Sequence, residues 1–435
     1  MFMNQYEKKY AARHASLGAS FGVLTLLARW VGPDTIFFSS EILMRYGLLG
    51  IIIYTLFHAA AFVMFGWVAH SAKTKWPESL TLGDIIERKT EGVQSNILIA
   101  LVAVSGLLML AIQGFIIHHM LSILFVIPVP ITLFIFMLFC YLYGGVWGMQ
   151  GILKLEPFKL AIIFAAIIFI PVYVFIQQGI EPIYNGLRLY HPYLLYWKDY
   201  SSLSFLFSSF LLVFGLIMID RTSWQRTFML QHSKVRSTFS LMGLIYSTIP
   251  LAILSMLMIS LSNQGYEQAG DVLFELIYKL STSFILALFV TFCIIIATST
   301  VGAELNALTI LIVRHLSPAK YKSDAVKYQY SYIISACIAL GVYIAGLFST
   351  HAIVPLIFFN GMIGAVMIVP VFIIIYGKKS IKSLEIISMF FALGIGVMFF
   401  FSGNYINAIW ISFSASALLT LLTYTMNMNS SNSIS

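Results

Sequence analysis

The sequence predicts an all-α polytopic membrane protein of about twelve transmembrane helices. Three observations carry this. The chain has 435 residues, 60% hydrophobic and 10% charged, with a mean hydropathy of +0.92, far more apolar surface than a water-soluble chain needs. Its apolar residues come in runs of about twenty or more, the length that crosses hydrocarbon as a helix. Its basic residues fall mainly in alternate connections, as the positive-inside rule requires.

Twelve spans follow in order: 17–38, 46–71, 95–121, 123–143, 157–179, 203–219, 238–262, 283–313, 330–349, 352–376, 382–402 and 405–426. With the N-terminus cytoplasmic, every Lys and Arg except Arg29, Arg45, Arg188, Lys198 and Lys279 lies in an inner segment. A missed or surplus span would scramble that asymmetry, so count and orientation support each other and place both termini inside a cytoplasmic (inner) membrane. The net charge of +8 is therefore topological, and no nucleic-acid partner is expected. The segment 1–16 is polar, and with no small-residue cleavage site after a short apolar core, no signal peptide is expected. Cys140, Cys293 and Cys337 fall in apolar spans and are expected as reduced, packed thiols.

Organisation is expected as two sets of five spans, 17–179 and 203–376, with two accessory helices over 382–426 and a disordered polar tail at 427–435. Two spans are interrupted. In the first, Ala28 to Thr35 reads A-R-W-V-G-P-D-T; Pro33 removes a backbone donor and pushes the residue before it from helical geometry, so carbonyls there are freed. The sixth runs out of apolar residues at Asp220 and continues R-T-S-W-Q-R. A broken first helix and a short sixth one are the marks of an inverted five-plus-five repeat with a midplane site. Between spans, Thr81–Lys89 alternates apolar and charged residues at helical spacing and is expected along the cytoplasmic interface. Tyr143-Gly144-Gly145 is expected to turn the chain into a loop. The tyrosine-rich outer segment Glu181–Asp199, with Trp197, is expected to anchor the interface, and Glu267–Leu280 to cap the outer mouth.

The most informative stretch is Ile294–Ala307, I-I-I-A-T-S-T-V-G-A-E-L-N-A. It lies within about thirty apolar residues yet carries Ser299, Thr300, Glu304 and Asn306. Hydroxyls can bond back to their own helix cheaply, whereas an intramembrane glutamate must face a partner or a wet cavity, which points to an ion or solute path. Intramembrane charge is otherwise expected only at Arg29, Asp34 and Asp220. That concentration disfavours a channel, which needs a polar lining on many helices. No phosphate loop, metal-spaced Cys/His cluster or nucleophile–base pair is present, so enzymatic activity and a cofactor are not expected. Trp30, Gln113, Phe115, Tyr143, Trp147, Phe214 and Gly215 are candidates to line a cavity.

These residues resemble the solute:sodium symporter family. Ser299-Thr300 followed by Leu305-Asn306 is similar to the family's S-[ST]-L-x-S-x-L-[NL] helix. Asp220 with Gln225-Arg226 is similar to its D-x-x-x-x-Q-R. Gly32 and Gly47, fifteen residues apart with an aromatic before the second, are similar to its G-x(14)-G. The resemblance covers about 25–320 and implies a LeuT-type fold of two inverted halves, with discontinuous first and sixth core helices and two additional C-terminal helices. It further implies a sodium site made by the hydroxyls of Ser299 and Thr300 with the carbonyls of Leu27, Trp30 and Ile296, and a secondary active transporter of a small organic solute. Two features depart from the pattern. Arg29 puts a permanent cation beside that ion cage, at a cost of several kcal/mol (order of magnitude) unless Glu304, Asp220 or Asp34 neutralises it. The family's acid near the start of the fifth core helix falls here near Leu153 or Lys154. Na+ coupling is accordingly expected to be weakened or replaced by H+ coupling through Glu304. If Arg29 instead faces the solute, a carboxylate-bearing substrate follows. The chain is expected as a monomer or homo-oligomer in the bilayer; the alternative is a non-transporting sensor or scaffold.

Overall fold

Residues 6, 10–12, 15–90, 92–196, 200–262, 272–274, 276, 280, 282–348 and 353–432 are described in a computed structural model. The architecture is helical throughout. Among the described residues, ten helices are long and apolar enough to cross a membrane, and an eleventh span is formed if one bent pair counts as one.

The first expected span is divided. α1 (Ala19–Trp30) stops at an extended Val31–Gly32 link, and α2 (Pro33–Lys75) begins at the proline. At 1.5 Å per residue, 43 residues would reach about 65 Å, twice the hydrocarbon thickness. α2 is therefore broken, at Gly47, where φ is +66° and a Cβ would lie 2.8 Å from the Leu194 carbonyl oxygen. Only glycine meets both conditions. The expectation of twelve spans is thus not matched one for one: α1 is too short to cross alone, and the first span's remainder is continuous with the second.

Next come the short α3 (Leu82–Lys89), then α4 (Val93–Leu124) and α5 (Val129–Cys140). The Tyr143-Gly144-Gly145 stretch does not turn into a loop as expected. It forms a π-helical segment, Tyr141–Val146, because Gly144 rests on the Gly302 backbone, where a Cβ would stand 2.3 Å from the carbonyl oxygen. Asn306 Nδ2 donates to the Gly144 carbonyl at 3.1 Å and fastens the same crossing. α6 (Gly148–Gln178) follows, then α7 (Ile180–Tyr190) within the aromatic outer segment, of which Trp197, Lys198 and Asp199 lie outside the described residues. α8 (Tyr200–Ile219) meets α9 (Arg221–Met229) at Asp220, and Phe207–Ile219 is bent 59° from α9. Asp220 is the N-cap, accepting from the Ser223 amide at 2.7 Å. At the far end Lys73 donates to the carbonyls of Thr227, Phe228 and Leu230, a cation on the C-terminus of α9.

α10 (Val235–Leu261), α11 (Ser283–Leu311), α12 (Asp324–Leu347), α13 (Ile353–Tyr376), α14 (Ser383–Phe401) and α15 (Tyr405–Asn432) complete the chain. Most of the expected outer cap, Glu267–Leu280, lies outside the described residues. α15 continues to Asn432, past the start of the expected disordered tail, since no proline or glycine stops it. α1 lies among α6, α10 and α11; α9 touches α1 and α11; α8 packs between α2 and α13; α14 and α15 pack on each other and on α13. Cys140 and Cys293 are buried free thiols, whereas Cys337 is exposed rather than packed.

α3 is fixed by side chains as well as by its amphipathic face. Thr81 caps it, Asp84 accepts from Arg314 at 2.7 Å, and His315 reaches both the Thr81 hydroxyl at 2.9 Å and Glu87 at 3.0 Å. Lys320 completes the cluster at 2.6 Å from Glu87. Burial pushes the Asp84 carboxyl up, but the Arg314 guanidinium and His315 outweigh it and hold it below the usual carboxylate range.

Candidate functional site

The link between α1 and α2 faces the middle of α11. Val31 and Gly32 are extended, so the helix ladder is interrupted and its carbonyls turn to side chains. Trp30 O accepts from Thr35 Oγ1 at 2.9 Å, and Thr300 Oγ1 lies 3.3 and 3.5 Å from the carbonyl oxygens of Arg29 and Val31. Leu27 O accepts the Val31 amide at 2.9 Å. Arg29 and Val31 therefore meet Thr300, and Arg29 meets Glu304, and Ser299, Thr300 and Ile296 are all buried. The partners differ in detail: Thr300 is engaged with Arg29 and Val31 rather than with Leu27 or Trp30.

Arg29 leaves the same turn and enters a buried charge cluster. Its Nη2 donates to Asp220 Oδ1 at 3.0 Å and to Glu304 Oε2 at 3.1 Å, and its Nε to Thr222 Oγ1 at 2.8 Å. Arg221 donates from Nε to Glu304 Oε1 at 2.6 Å and from Nη1 to the Val102 carbonyl at 2.8 Å. Thr222 in turn donates to Asp220 at 2.5 Å. No member of this quartet is more than 5% exposed. Two cations and two anions balance, and both carboxylates accept from guanidiniums, the condition under which buried ion pairs persist. Arg221 is absent from the sequence-derived site because it falls just past an apolar run, where the sequence places it in an inner connection. The bend at Asp220 turns it inward.

Arg29, Asp220 and Arg221 line a cavity of about 50 Å³, walled also by Asp34, Trp30, Phe38, Tyr54, His58, Tyr246 and Asn360, while Glu304 is joined to it through the two guanidiniums. Trp30 lies on this wall, and Asp34 shares the cavity with Arg29. Gln113 is buried and does not reach the wall. Phe115 and Trp147 are not on the wall either, Trp147 being exposed, and three further candidates pack elsewhere. Tyr143 packs on Gly302, under Lys159, whose Nζ stands 3.8 Å from its ring centre. Phe214 stacks with Phe210 in the packing of α8, and Gly215 gives close approach to Gly364 and Ala365. Aromatic and small residues on a helix serve either purpose, and sequence does not say which face they take.

A second buried charged group lies nearby. Glu156 accepts from Arg226 at 2.5 Å, both essentially unexposed, with Lys159 also buried. Glu156 stands two residues past Lys154, close to the position where the family's acid is missing. Arg226 and Lys159, like Lys73, belong by sequence to inner connections. Apolar flanks around E-P-F-K-L were the signal available for Glu156.

No family model matches the sequence, and no curated protein matches it. Solved structures do. The chain has the fold of LeuT-type membrane transporters. A Na+-coupled sialic acid symporter in a substrate-bound, outward-open state superposes with a TM-score of 0.79 at 13% identity, over 97% of this chain and 92% of that one. The nucleobase-cation-symport-1 family transporter Mhp1, closed with bromovinylhydantoin bound, gives 0.57 at 12% identity, covering 95% of each chain. MhsT in complex with L-phenylalanine gives 0.53 at 13%, covering 92% and 97%. The first of these is described as a symporter and the second as a transporter.

Proposed function

We propose that this chain is a secondary active transporter that moves a small organic solute across the cytoplasmic membrane by alternating access. The single observation that carries the reading is the cavity beside two interrupted helices, on whose wall Arg29, Arg221 and Asp220 converge, with Glu304 paired to both guanidiniums behind it. Buried ionisable groups in a membrane protein mark a solute or ion path, and helices broken at that level let two halves rock around a fixed site. The halves are residues 17–179 and 203–376, related as inverted repeats, with both termini cytoplasmic.

Coupling follows from the same cluster. Arg29 is paired with Asp220 and Glu304, so its charge does not oppose a cation held by Thr300, Ser299 and the carbonyls of Leu27, Trp30 and Ile296. Two drives are open to this architecture. A sodium ion in that cage is one, and a proton carried by Glu304 is the other, which requires a state in which a guanidinium has moved off it. Reconstitution into proteoliposomes separates them: uptake of a bound solute is measured under an inward Na+ gradient and under a pH gradient alone. Glu304→Gln abolishes the proton-driven mode while leaving the sodium-driven one, and Thr300→Val does the reverse. Uptake under neither gradient refutes the transporter reading. With both guanidiniums already paired, the site does not call for a carboxylate on the solute.

A further inference from the structure

The cavity beside the charge cluster has a larger neighbour. A second cavity, of about 170 Å³, lies where Glu41 and Arg45 of α2 meet Phe358 of α13 and Tyr405 at the head of α15. With the termini cytoplasmic, this is the outer side. Phe38 lines both cavities and its ring stands 6.4 Å from that of Phe358, so a single layer of side chains divides them. Tyr405 backs the same wall, its ring centre 6.1 Å from Phe358 and 5.0 Å from Phe400. Three elements thus enclose a largely apolar space with a few polar groups at its edge, the composition in which proteins hold small ligands.

The charged groups on this wall are one acid and one base. Arg45 Nε donates to Glu41 Oε2 at 2.9 Å, one helical turn away, with the Arg45 side chain 60% and the Glu41 side chain 17% exposed. An exposed pair of this kind contributes little to stability, and it occupies one guanidinium nitrogen and one carboxylate oxygen. Both terminal nitrogens of Arg45 and the second oxygen of Glu41 have no hydrogen-bond partner among the described residues. The wall is therefore neutral overall but dipolar. A lone carboxylate would gain Arg45 and be repelled by Glu41, and a lone ammonium would meet the reverse, whereas a molecule carrying both finds an opposite charge for each. We propose that the outer cavity binds a small zwitterion, its carboxylate on the terminal nitrogens of Arg45, its ammonium on the free oxygen of Glu41 and its apolar body against Phe38, Phe358 and Tyr405. At about 170 Å³, against the roughly 150 Å³ that admits benzene in an engineered cavity, the space takes a body about the size of one ring. That a solute held there passes on to the inner cavity rests on the transporter reading; the binding itself does not.

Purified full-length protein in detergent at about pH 7 tests this by thermal unfolding against isoleucine and its two singly charged counterparts, 2-methylbutylamine, which lacks the carboxylate, and 3-methylpentanoate, which lacks the ammonium. Isoleucine is expected to raise the midpoint saturably, and each counterpart to bind about tenfold more weakly or worse. Arg45→Gln and Glu41→Gln are each expected to weaken isoleucine binding about tenfold or more, and Tyr405→Ala to weaken all three compounds together. The proposal is overturned if isoleucine leaves the midpoint unmoved, if either counterpart equals it, or if Arg45→Gln or Glu41→Gln binds it as the wild type does. Should one variant fail to fold, the other and the contrast among the three compounds decide. Isoleucine binding without uptake under either gradient would sink the transporter reading and leave this one standing. Uptake of another solute, with no isoleucine binding, would do the opposite.

Discussion

Replacing Glu304 by alanine tests the charge cluster most directly. Glu304 is 1% exposed and accepts from two guanidiniums, Arg29 at 3.1 Å and Arg221 at 2.6 Å. After Glu304→Ala, Arg29 keeps Asp220 and Thr222, but Arg221 keeps only the carbonyls of Val102 and Ile219. One buried cation is left without an anion, and breaking a buried pair on one side costs about 3 to 5 kcal/mol. Glu304→Gln retains an acceptor and loses the charge, so its cost is smaller, about 1.5 to 3 kcal/mol. Removing the cation as well, in Arg221→Met/Glu304→Leu, restores most of the loss, because an apolar pair of similar volume needs no solvation. The assay is unfolding of purified protein in detergent micelles, scored as the order of midpoints: wild type, double variant, Gln, then Ala. A Glu304→Ala midpoint equal to wild type, or a double variant less stable than Glu304→Ala, would refute the reasoning that these charges hold each other in place.

Further outcomes rest on the same geometry. Gly144→Ala places a methyl 2.3 Å from the Gly302 carbonyl oxygen, a backbone clash that cannot relax by rotamer change. It is expected to cost about 1 to 3 kcal/mol and to shrink the monodisperse peak in size-exclusion chromatography. Glu156→Ala strands Arg226 as Glu304→Ala strands Arg221, at about 3 to 5 kcal/mol, and the midpoint should recover in Glu156→Leu/Arg226→Met. The α3 cluster predicts an acid limit. Because the Asp84 carboxyl is held below its unfolded value of 3.8, its contribution is fully present above that value and is lost as pH falls through the lower folded value. Unfolding midpoints of wild type minus Arg314→Met should therefore be constant from about pH 8 to 5 and converge below about pH 4. A difference that instead grows on acidification would show that Arg314 does not act through Asp84.

Most of the helices were legible because hydrophobic runs and breakers act locally. The Gly32-Pro33 interruption arises from one residue's missing donor, and the end of the sixth span from a lone aspartate that caps α9. That Arg29 needs an acid is also plain from sequence, since an unpaired guanidinium in hydrocarbon is too costly to exist. Depth is less legible. Arg221, Arg226 and Lys159 sit at the ends of apolar runs, where a long basic side chain can point to water or fold inward, and only the bend at Asp220 and the start of α6 settle that they fold inward.

The chain alone determined that this protein crosses a membrane many times and keeps a few charges inside it, because both conclusions depend on composition and local covalent preference. Tertiary structure decided which acid answers which base, that Asp34 shares a cavity with Arg29, and that Tyr143, Phe214 and Gly215 pack helices instead of facing that cavity. Those outcomes depend on how segments nearly 300 residues apart are rotated against one another, a quantity that no periodicity in one helix contains.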